Sequence, residues 1–182
     1  MKLLLTLAIG VCALAGAGAA GQQPTATTGT HAAMALAVLH DAQGRSVGEA
    51  RLQQTPHGVL LRLDLKHATP GIHALHFHEV GRCDRPTFES AGAHFNPGGH
   101  QHGLLNPHGF HAGDLPNLDI PSTQQLSVEY LVADVTLTPG PQSLLDANGS
   151  ALVMHAGKDD HASDPAGQSG DRMACGQVER SR

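Results

Sequence analysis

Apolar and polar residues alternate with a period of two along much of the chain. Between positions 59 and 66, Leu61, Leu63 and Leu65 fall on one face, while positions 62, 64 and 66 carry charged side chains. This alternation is typical of a half-buried antiparallel strand, because successive side chains of a strand point to opposite faces of its sheet. The same pattern predicts six further strands, at positions 34–39, 47–54, 72–80, 126–137, 151–155 and 173–178.

Glycine, proline and asparagine separate these segments and mark turns, as at Asn148 and Gly149. No long stretch has the helical apolar period of about 3.6 residues. We therefore predict an all-β fold, either a sandwich or a barrel. Two segments, 81–121 and 156–172, interrupt the pattern and are too long and too polar to be hairpin connections. Loops of this length are usually functional.

The first residues of the chain have the character of a secretory signal peptide. Lys2 provides a basic start, positions 3–15 are apolar, and small residues at 17–19 form a candidate cleavage site. The apolar run is shorter than the roughly 20 residues that a membrane-spanning helix needs. We expect a signal peptide at 1–19, a flexible lead-in at 20–31 and an exported folded domain at 32–182.

The composition argues against nucleic-acid binding and favours a metal site. The 182 residues include 11 Lys and Arg against 16 Asp and Glu, a formal net charge of -5, so a broad nucleic-acid-binding face is not expected. Histidine is abundant, at 14 residues, beside 3 cysteines, of which Cys12 lies in the predicted signal peptide. In an exported chain Cys83 and Cys175 meet an oxidising compartment, where a disulfide is favoured over two free thiols.

The predicted strand at 72–80 carries two histidines on one face. His76 and His78 are two residues apart, so their side chains point the same way, about 6 to 7 Å apart, and can reach one ion. The apolar residues next to them point the other way, toward the core. His73 falls on that inner side too, where we expect a hydrogen-bonded structural histidine.

Further potential ligands lie downstream. His94, His102 and His111 fall in the first long loop, Asp114 follows three residues after His111, and His155 ends a later predicted strand. Three imidazoles and one carboxylate suit a tetrahedral zinc site, whereas imidazoles alone suit copper. A histidine that belonged to both sets would bridge two metals through its two ring nitrogens.

Five short motifs resemble those of the copper-zinc superoxide dismutases, especially the exported bacterial ones. They are HFHE (76–79), AGAHFNP (91–97), HAGDLPN (111–117), VMHAG (153–157) and RMACG (172–176). The intervals match the family pattern as well: eight residues from His94 to His102, nine more to His111 and three more to Asp114. The resemblance extends from about position 34 to position 178.

The resemblance implies an eight-stranded Greek-key β-barrel, an immunoglobulin-like sandwich, that binds one copper and one zinc per chain. The implied copper ligands are His76, His78, His94 and His155, and the implied zinc ligands are His94, His102, His111 and Asp114. His94 would be the bridge, and Cys83 would form a disulfide with Cys175. Asp159 would accept hydrogen bonds from His76 and His102, and Arg172 would line the copper channel.

The implied activity is the conversion of superoxide to dioxygen and hydrogen peroxide by alternate reduction and oxidation of copper. Arg172 and His94 would be the catalytic residues. His94 would leave the reduced copper and take a proton, which the second superoxide collects, while zinc holds its other nitrogen. Because the chain is negatively charged overall, Arg172, and more weakly Lys158, would attract the anionic substrate. The resemblance also implies a bacterial periplasmic location.

Several alternatives remain open at this point. An exported protein that binds or delivers copper and zinc without efficient turnover would use the same ligands, and a structural β-sandwich would carry incidental histidines. His100 could replace His102 as a ligand, although only His102 fits the family spacing, and His31, His100 or His108 could bind additional metal. The chain could be a monomer or a homodimer, and stable membrane insertion is not expected.

Overall fold

A computed structural model describes residues 32–181 of the chain; the predicted signal peptide and lead-in, positions 1–31, lie outside the described residues. The described residues form ten β-strands and one short 3-10 turn, and no helix among them is long and apolar enough to cross a membrane. The strands are β1 (Met34–Asp41), β2 (Ser46–Thr55), β3 (Gly58–Lys66), β4 (Gly71–His73), β5 (Leu75–His78), β6 (Leu118–Ile120), β7 (Gln125–Val132), β8 (Ala151–His155), β9 (Arg172–Gln177) and β10 (Glu179–Arg180).

Eight strands form one antiparallel sheet, and two form a separate pair. The hydrogen-bonded order of the large sheet is β5-β8-β9-β1-β2-β3-β7, with β10 also paired to β1, while β4 pairs with β6. Since β5 follows β3 closely in sequence yet lies at the far end of the order, the chain crosses over the sheet, as a Greek key requires. The predicted all-β class is confirmed, as a sheet curled into a half-barrel.

The alternation on β3 places every second residue from Leu61 to Leu65 in the core. Leu61, Leu63 and Leu65 are buried, whereas Arg62 is exposed and forms an ion pair with Glu129, its partner across the β3–β7 ladder. Burying a leucine side chain typically stabilises a fold by about 1.5 to 3 kcal/mol. The apolar face of the sheet therefore accounts for much of the stability, and the opposite face is free to carry charge.

Strand β8 is buried on both faces and links the core to the site. Leu152 packs in the main core, whereas Val153 packs in a second apolar cluster with Phe88 and Cys175. The predicted disulfide between Cys83 and Cys175 is present, with a Cα–Cα distance of 5.7 Å. It ties the start of the first long loop to β9.

The predicted strand at 72–80 is divided in the structure. The N–H of Ala74 donates to the Gly157 carbonyl at 2.8 Å, and the Ala74 carbonyl accepts the N–H of His155 at 2.9 Å. Ala74 is therefore bound to the last residue of β8 and to the chain just after it, and β4 and β5 lie on either side of Ala74. Strand β4 pairs instead with β6, which lies inside the segment expected to be a long loop.

The predicted strand at 126–137 is shorter in the structure. Strand β7 ends at Val132, and a turn follows. Val135 and Leu137 are nonetheless fully buried. Their alternation in the sequence thus indicates burial and not strand geometry, because irregular backbone can also direct every second side chain into a core.

Candidate metal centre

Strand β5 presents two histidines on the face opposite its core residues. Leu75 and Phe77 pack into the main core, and His76 and His78 are fully buried on the other side. Strand β8 pairs with one edge of β5 along its whole length. A two-residue period in a strand that is covered on both faces therefore places two buried imidazoles on the same face, with ring centroids 6.4 Å apart.

The first long loop returns along the other edge of β5 and carries His94 with it. The N–H of Phe95 donates to the Phe77 carbonyl at 2.8 Å, and the same loop passes again at Gly113. A Cβ atom at Gly113 would lie 2.5 Å from the Phe77 carbonyl oxygen, so only glycine permits this approach. As a result, the backbone of His94 forms a β-bridge with that of His78.

Four buried histidines converge in a group that we call the four-histidine cluster: His76, His78, His94 and His155. One ring nitrogen of each lies within 4.8 Å of the others. The Nε2 atoms of His78 and His155 are 3.4 Å apart, and the Nδ1 of His76 and the Nε2 of His94 are buried without a hydrogen-bond partner among the described residues. Buried polar atoms nearly always have a partner, so these nitrogens are candidates for metal ligands.

The outer ring nitrogen of three of these histidines faces an oxygen acceptor. These contacts join His76 Nε2 to the Asp159 carboxylate at 2.7 Å, His78 Nδ1 to the Gly92 carbonyl at 3.0 Å and His155 Nδ1 to the Gly170 carbonyl at 3.2 Å. Since carbonyl and carboxylate oxygens accept, the outer nitrogens carry the protons and the inner nitrogens keep a lone pair. This arrangement fixes the tautomer and orientation of histidines in metal sites.

A second group, the Asp114 cluster, consists of His94, His102, His111 and Asp114. The Oδ1 atom of Asp114 lies 3.1 Å from the Nδ1 of His94 and 3.0 Å from that of His102, and the Nδ1 atoms of His111 and His94 are 3.4 Å apart. Ligands about 2.0 to 2.1 Å from a tetrahedral zinc are about 3.3 Å apart, so these separations fit zinc. The N–H groups of Gly103 and His111, each 3.0 Å from Asp114 Oδ2, orient the carboxylate.

Two residues connect the clusters. His94 contributes its Nε2 to the four-histidine cluster and its Nδ1 to the Asp114 cluster. Asp159 accepts a hydrogen bond from His76 Nε2 at its Oδ2, and its Oδ1 lies 3.0 Å from the Nε2 of His102. Gly167, at φ 62°, leaves room for this carboxylate, because a Cβ atom there would lie 1.8 Å from Asp159 Oδ1.

This pair of donor sets agrees with the comparison of the chain with known families. The model of the family described as copper/zinc superoxide dismutase matches residues 46–178, well over half of the chain. The chain belongs to the copper/zinc superoxide dismutase family. All residues of the two clusters lie within the matched segment.

Individual relatives and solved structures agree with this assignment. A copper-zinc superoxide dismutase of Aquifex aeolicus is 48% identical over 138 residues, which cover 75% of this chain and 82% of the relative. Another, from Caulobacter vibrioides, is 45% identical over 147 residues, 79% of this chain and 84% of the relative. A superoxide dismutase-like protein from Bacillus subtilis matches in structure with a TM-score of 0.75 and 35% identity, covering 78% of this chain and 96% of that one. The copper/zinc superoxide dismutase of Brucella abortus matches with a TM-score of 0.64 and 26% identity, covering 80% of this chain and 99% of that one.

Burial keeps the four-histidine cluster of this dismutase-family chain neutral. It lowers the pKa of His94 to about 4 and the pKa of His155 to about 3. Burial likewise lowers the pKa of His76 and, more strongly, the pKa of His78. Near neutral pH these imidazoles are therefore uncharged, which is the form that binds metal.

His102 has the opposite electrostatic character. Burial lowers its pKa, but its hydrogen bonds to Asp114 and Asp159 outweigh burial and raise the pKa to about 9. Burial would raise the pKa of both carboxyls, yet their histidine contacts hold the pKa of each well below its usual range. A raised pKa favours the imidazolium form of His102 between the two carboxylates, and a metal ion held by this ring would have to displace a proton.

Arg172, at the start of β9, is held beside the four-histidine cluster by two carbonyl groups. Its guanidinium donates to the carbonyl of Phe88 at 2.7 Å and to that of Gly92 at 2.6 Å. The Gly92 carbonyl also accepts the Nδ1–H of His78. Arg172 and the exposed Glu89 line one cavity of about 440 Å³. The Gly92 carbonyl oxygen therefore contacts both the Arg172 guanidinium and the His78 ring, which fixes a positive charge close to the four-histidine cluster.

The other histidines singled out in the sequence lie elsewhere. His100 and His108 belong to no metal-ligating group of three or more residues within 32–181. His73 is buried, and its Nδ1 lies 2.9 Å from the last carbonyl oxygen of β8, which is the structural role predicted for it. His31 lies outside the described residues. Lys158, the weaker candidate for attracting substrate, is exposed.

Two residues near Asp159 were not predicted from the sequence. The Asn117 amide donates to the Asp159 carbonyl and accepts the Asp159 N–H, both at 2.8 Å. It also donates to the Nε2 of His161 at 3.0 Å. Asn117 lies in one of the family motifs, but no spacing rule connects it to a loop 42 residues later. The sequence feature that could have identified His161 is its position two residues after Asp159.

Proposed function

We propose that the protein is a superoxide dismutase that holds copper in the four-histidine cluster and zinc in the Asp114 cluster. The observation that carries this proposal is His94, whose two buried ring nitrogens face different clusters. Four imidazoles suit copper, and three imidazoles with one carboxylate suit zinc. The substrate is superoxide, and the products are dioxygen and hydrogen peroxide.

The reaction consumes two superoxide anions and two protons and yields one dioxygen and one hydrogen peroxide. Bound copper supplies the one-electron couple, and bound zinc supplies a fixed positive charge without redox chemistry. The protein supplies proton handling and orientation. His94 Nε2 is buried and has no hydrogen-bond partner among the described residues, so it can hold a proton while Nδ1 stays in the Asp114 cluster. Asp159 keeps the ring of His76 oriented throughout.

We also propose that the protein acts outside the cytoplasm, in a bacterial periplasm. The Cys83–Cys175 disulfide supports an oxidising compartment, because such bonds persist there and are rare in the cytosol. The basic and apolar pattern of the first 19 residues supports export by a signal peptide.

The proposed activity is tested by stopped-flow decay of superoxide. The protein loaded with copper and zinc should remove superoxide near the diffusion ceiling of roughly 10⁹ M⁻¹s⁻¹. The same protein loaded with zinc alone should show only the spontaneous rate. Slow decay from a protein that has bound one copper and one zinc would refute the dismutase assignment and favour metal storage or delivery.

Arg172 is proposed to attract the substrate, and its replacement should slow the reaction. The chain is negatively charged, so a local cation is needed to draw a small anion to the site. Arg172→Gln should lower the second-order rate constant by about tenfold at low salt. Glu89, whose charge opposes the effect of burial on the Arg172 pKa, should act in the other direction, so Glu89→Gln should raise the rate constant by up to about threefold.

Salt dependence separates this attraction from a structural effect. The rate constant of the wild type should fall as ionic strength rises, whereas that of Arg172→Gln should change little, because salt screens charge and not shape. Arg62→Gln on β3 removes the same charge away from the clusters and controls for net charge. An Arg172→Gln variant with undiminished salt dependence would contradict the proposed role.

A further inference from the structure

The carboxylate of Asp159 is held by more than the two histidines that it connects. The side-chain oxygen of Asn117 accepts the main-chain N–H of Asp159, and the side-chain nitrogen of Asn117 donates to the main-chain carbonyl of Asp159. The main-chain N–H of His161 donates to Asp159 Oδ1 at 2.6 Å. The carboxylate that joins the two clusters thus has its own support, which the proposed chemistry does not use directly.

The backbone of His161 lies where the two long loops meet. Its carbonyl accepts the N–H of Leu105 in the first loop at 2.8 Å, while its own N–H is bound to Asp159 in the second. Its φ is 59°, in the left-handed region that few residues other than glycine adopt, although histidine is among those enriched there. Such a conformation persists when the surrounding contacts determine it.

The ring of His161 has a defined tautomer. The Asn117 amide is oriented by its two bonds to the Asp159 main chain, so its nitrogen is the atom that faces His161 Nε2 at 3.0 Å. That nitrogen donates, and Nε2 must therefore accept, which places the ring proton on Nδ1. The Nδ1 atom is buried, lies 3.6 Å from Asp159 Oδ2 and has no other partner among residues 32–181.

We propose that His161 is a positioning residue for Asp159 and, through it, for the ligands of both clusters. Its main-chain N–H is bound to Oδ1, and its Nδ1 lies 3.6 Å from Oδ2, so the carboxylate keeps one oxygen toward His102 and the other toward His76. Asn117 locks the ring in this orientation. The inference rests on the proposed function, because it concerns how tightly the same metal ligands are held.

The test is zinc affinity, measured by competition with a chromophoric chelator. His161→Phe keeps a planar aromatic ring but removes both ring nitrogens, and it should weaken zinc binding by about tenfold, the lower end of what loss of an outer partner costs. His161→Gln can place an amide oxygen where Nε2 lies, so its affinity should stay within about threefold of the wild type. Cobalt(II) bound in the Asp114 cluster should show a shifted visible spectrum in His161→Phe and a wild-type spectrum in His161→Gln.

Controls distinguish positioning from general stability. His161→Gly suits the left-handed backbone and lacks the ring, so it repeats the test if the Phe variant does not fold, and it should lose affinity to the same extent. His57→Phe in the turn between β2 and β3 should change nothing. The proposal is overturned if the Phe and Gly variants lower only the Tm of the metal-free protein and leave zinc affinity and the cobalt spectrum unchanged. A wild type that binds no zinc would instead refute the proposed function.

Discussion

Replacing His94 with alanine should deplete the protein of copper and zinc together and lower the rate of superoxide decay by more than about a hundredfold. Loss of an outer partner of a metal ligand already costs 10- to 100-fold in affinity or activity, so loss of a ligand should cost more. His94 is the one residue common to both donor sets. Its removal should therefore open both sets, which no other single substitution among the ligands does directly.

A series of single variants makes this prediction specific. Metal content, measured by mass spectrometry after loading with both metals, should fall mainly for copper in His78→Ala and mainly for zinc in His111→Ala. Both metals should be lost in His94→Ala. His100→Ala changes an exposed histidine of the same loop and should retain both. Retention of both metals by His94→Ala would refute its assignment as the bridge.

Removing the disulfide should have the largest effect on stability. The bond closes a loop with a sequence separation of 92 residues. In the chain-entropy model, replacing Cys83 and Cys175 by alanine should lower the free energy of unfolding by about 4 to 5 kcal/mol. Cys175 also packs with Phe88 and Val153 in the second apolar cluster, so its sulfur contributes to packing as well.

Urea unfolding of the metal-free protein measures this effect. Wild type with reduced thiols is the matched control, because it keeps both sulfur atoms and loses only the bond. The double alanine variant should also turn over superoxide more slowly, since Phe88 and Gly92, whose carbonyls hold Arg172, lie in the segment that the bond secures. A loss of stability below about 1 kcal/mol would contradict the expectation.

Strands that obey a local rule could be predicted from the sequence. Leu61, Leu63 and Leu65 of β3 and the two histidines of β5 occupy alternate positions, and a period of two is visible without knowledge of the partner strands. The division of 72–80 at Ala74 could not be predicted in this way. It depends on hydrogen bonds from Ala74 to residues about 80 positions later, which no local pattern contains.

The residues of the candidate site likewise fall into those that the sequence could predict and those that it could not. Ligand types and spacings are properties of the sequence and predicted a metal site, and the resemblance of the motifs to the dismutase family implied the two ligand sets and the role of Asp159 before the fold was known. The roles of Asn117, His161 and Gly167 depend on two loops meeting over one carboxylate. Their importance follows from distances between atoms that are remote in sequence, and a single chain without its fold does not contain those distances.

The contacts around Asp159 also close a ring of side chains that includes residues of both clusters. Consecutive members of this ring are in contact at heavy-atom distances of 2.7 to 3.1 Å, in the order His94, Asp114, His102, Asp159 and His76. The ring closes where the imidazole centroids of His76 and His94 lie 4.0 Å apart. We therefore expect that an ion bound in one cluster preorganises the ligands of the other cluster. Thermodynamic linkage then makes the cooperativity reciprocal: the factor by which zinc tightens copper binding is the factor by which copper tightens zinc binding. The order of loading changes the path to the filled protein and leaves its total binding free energy the same.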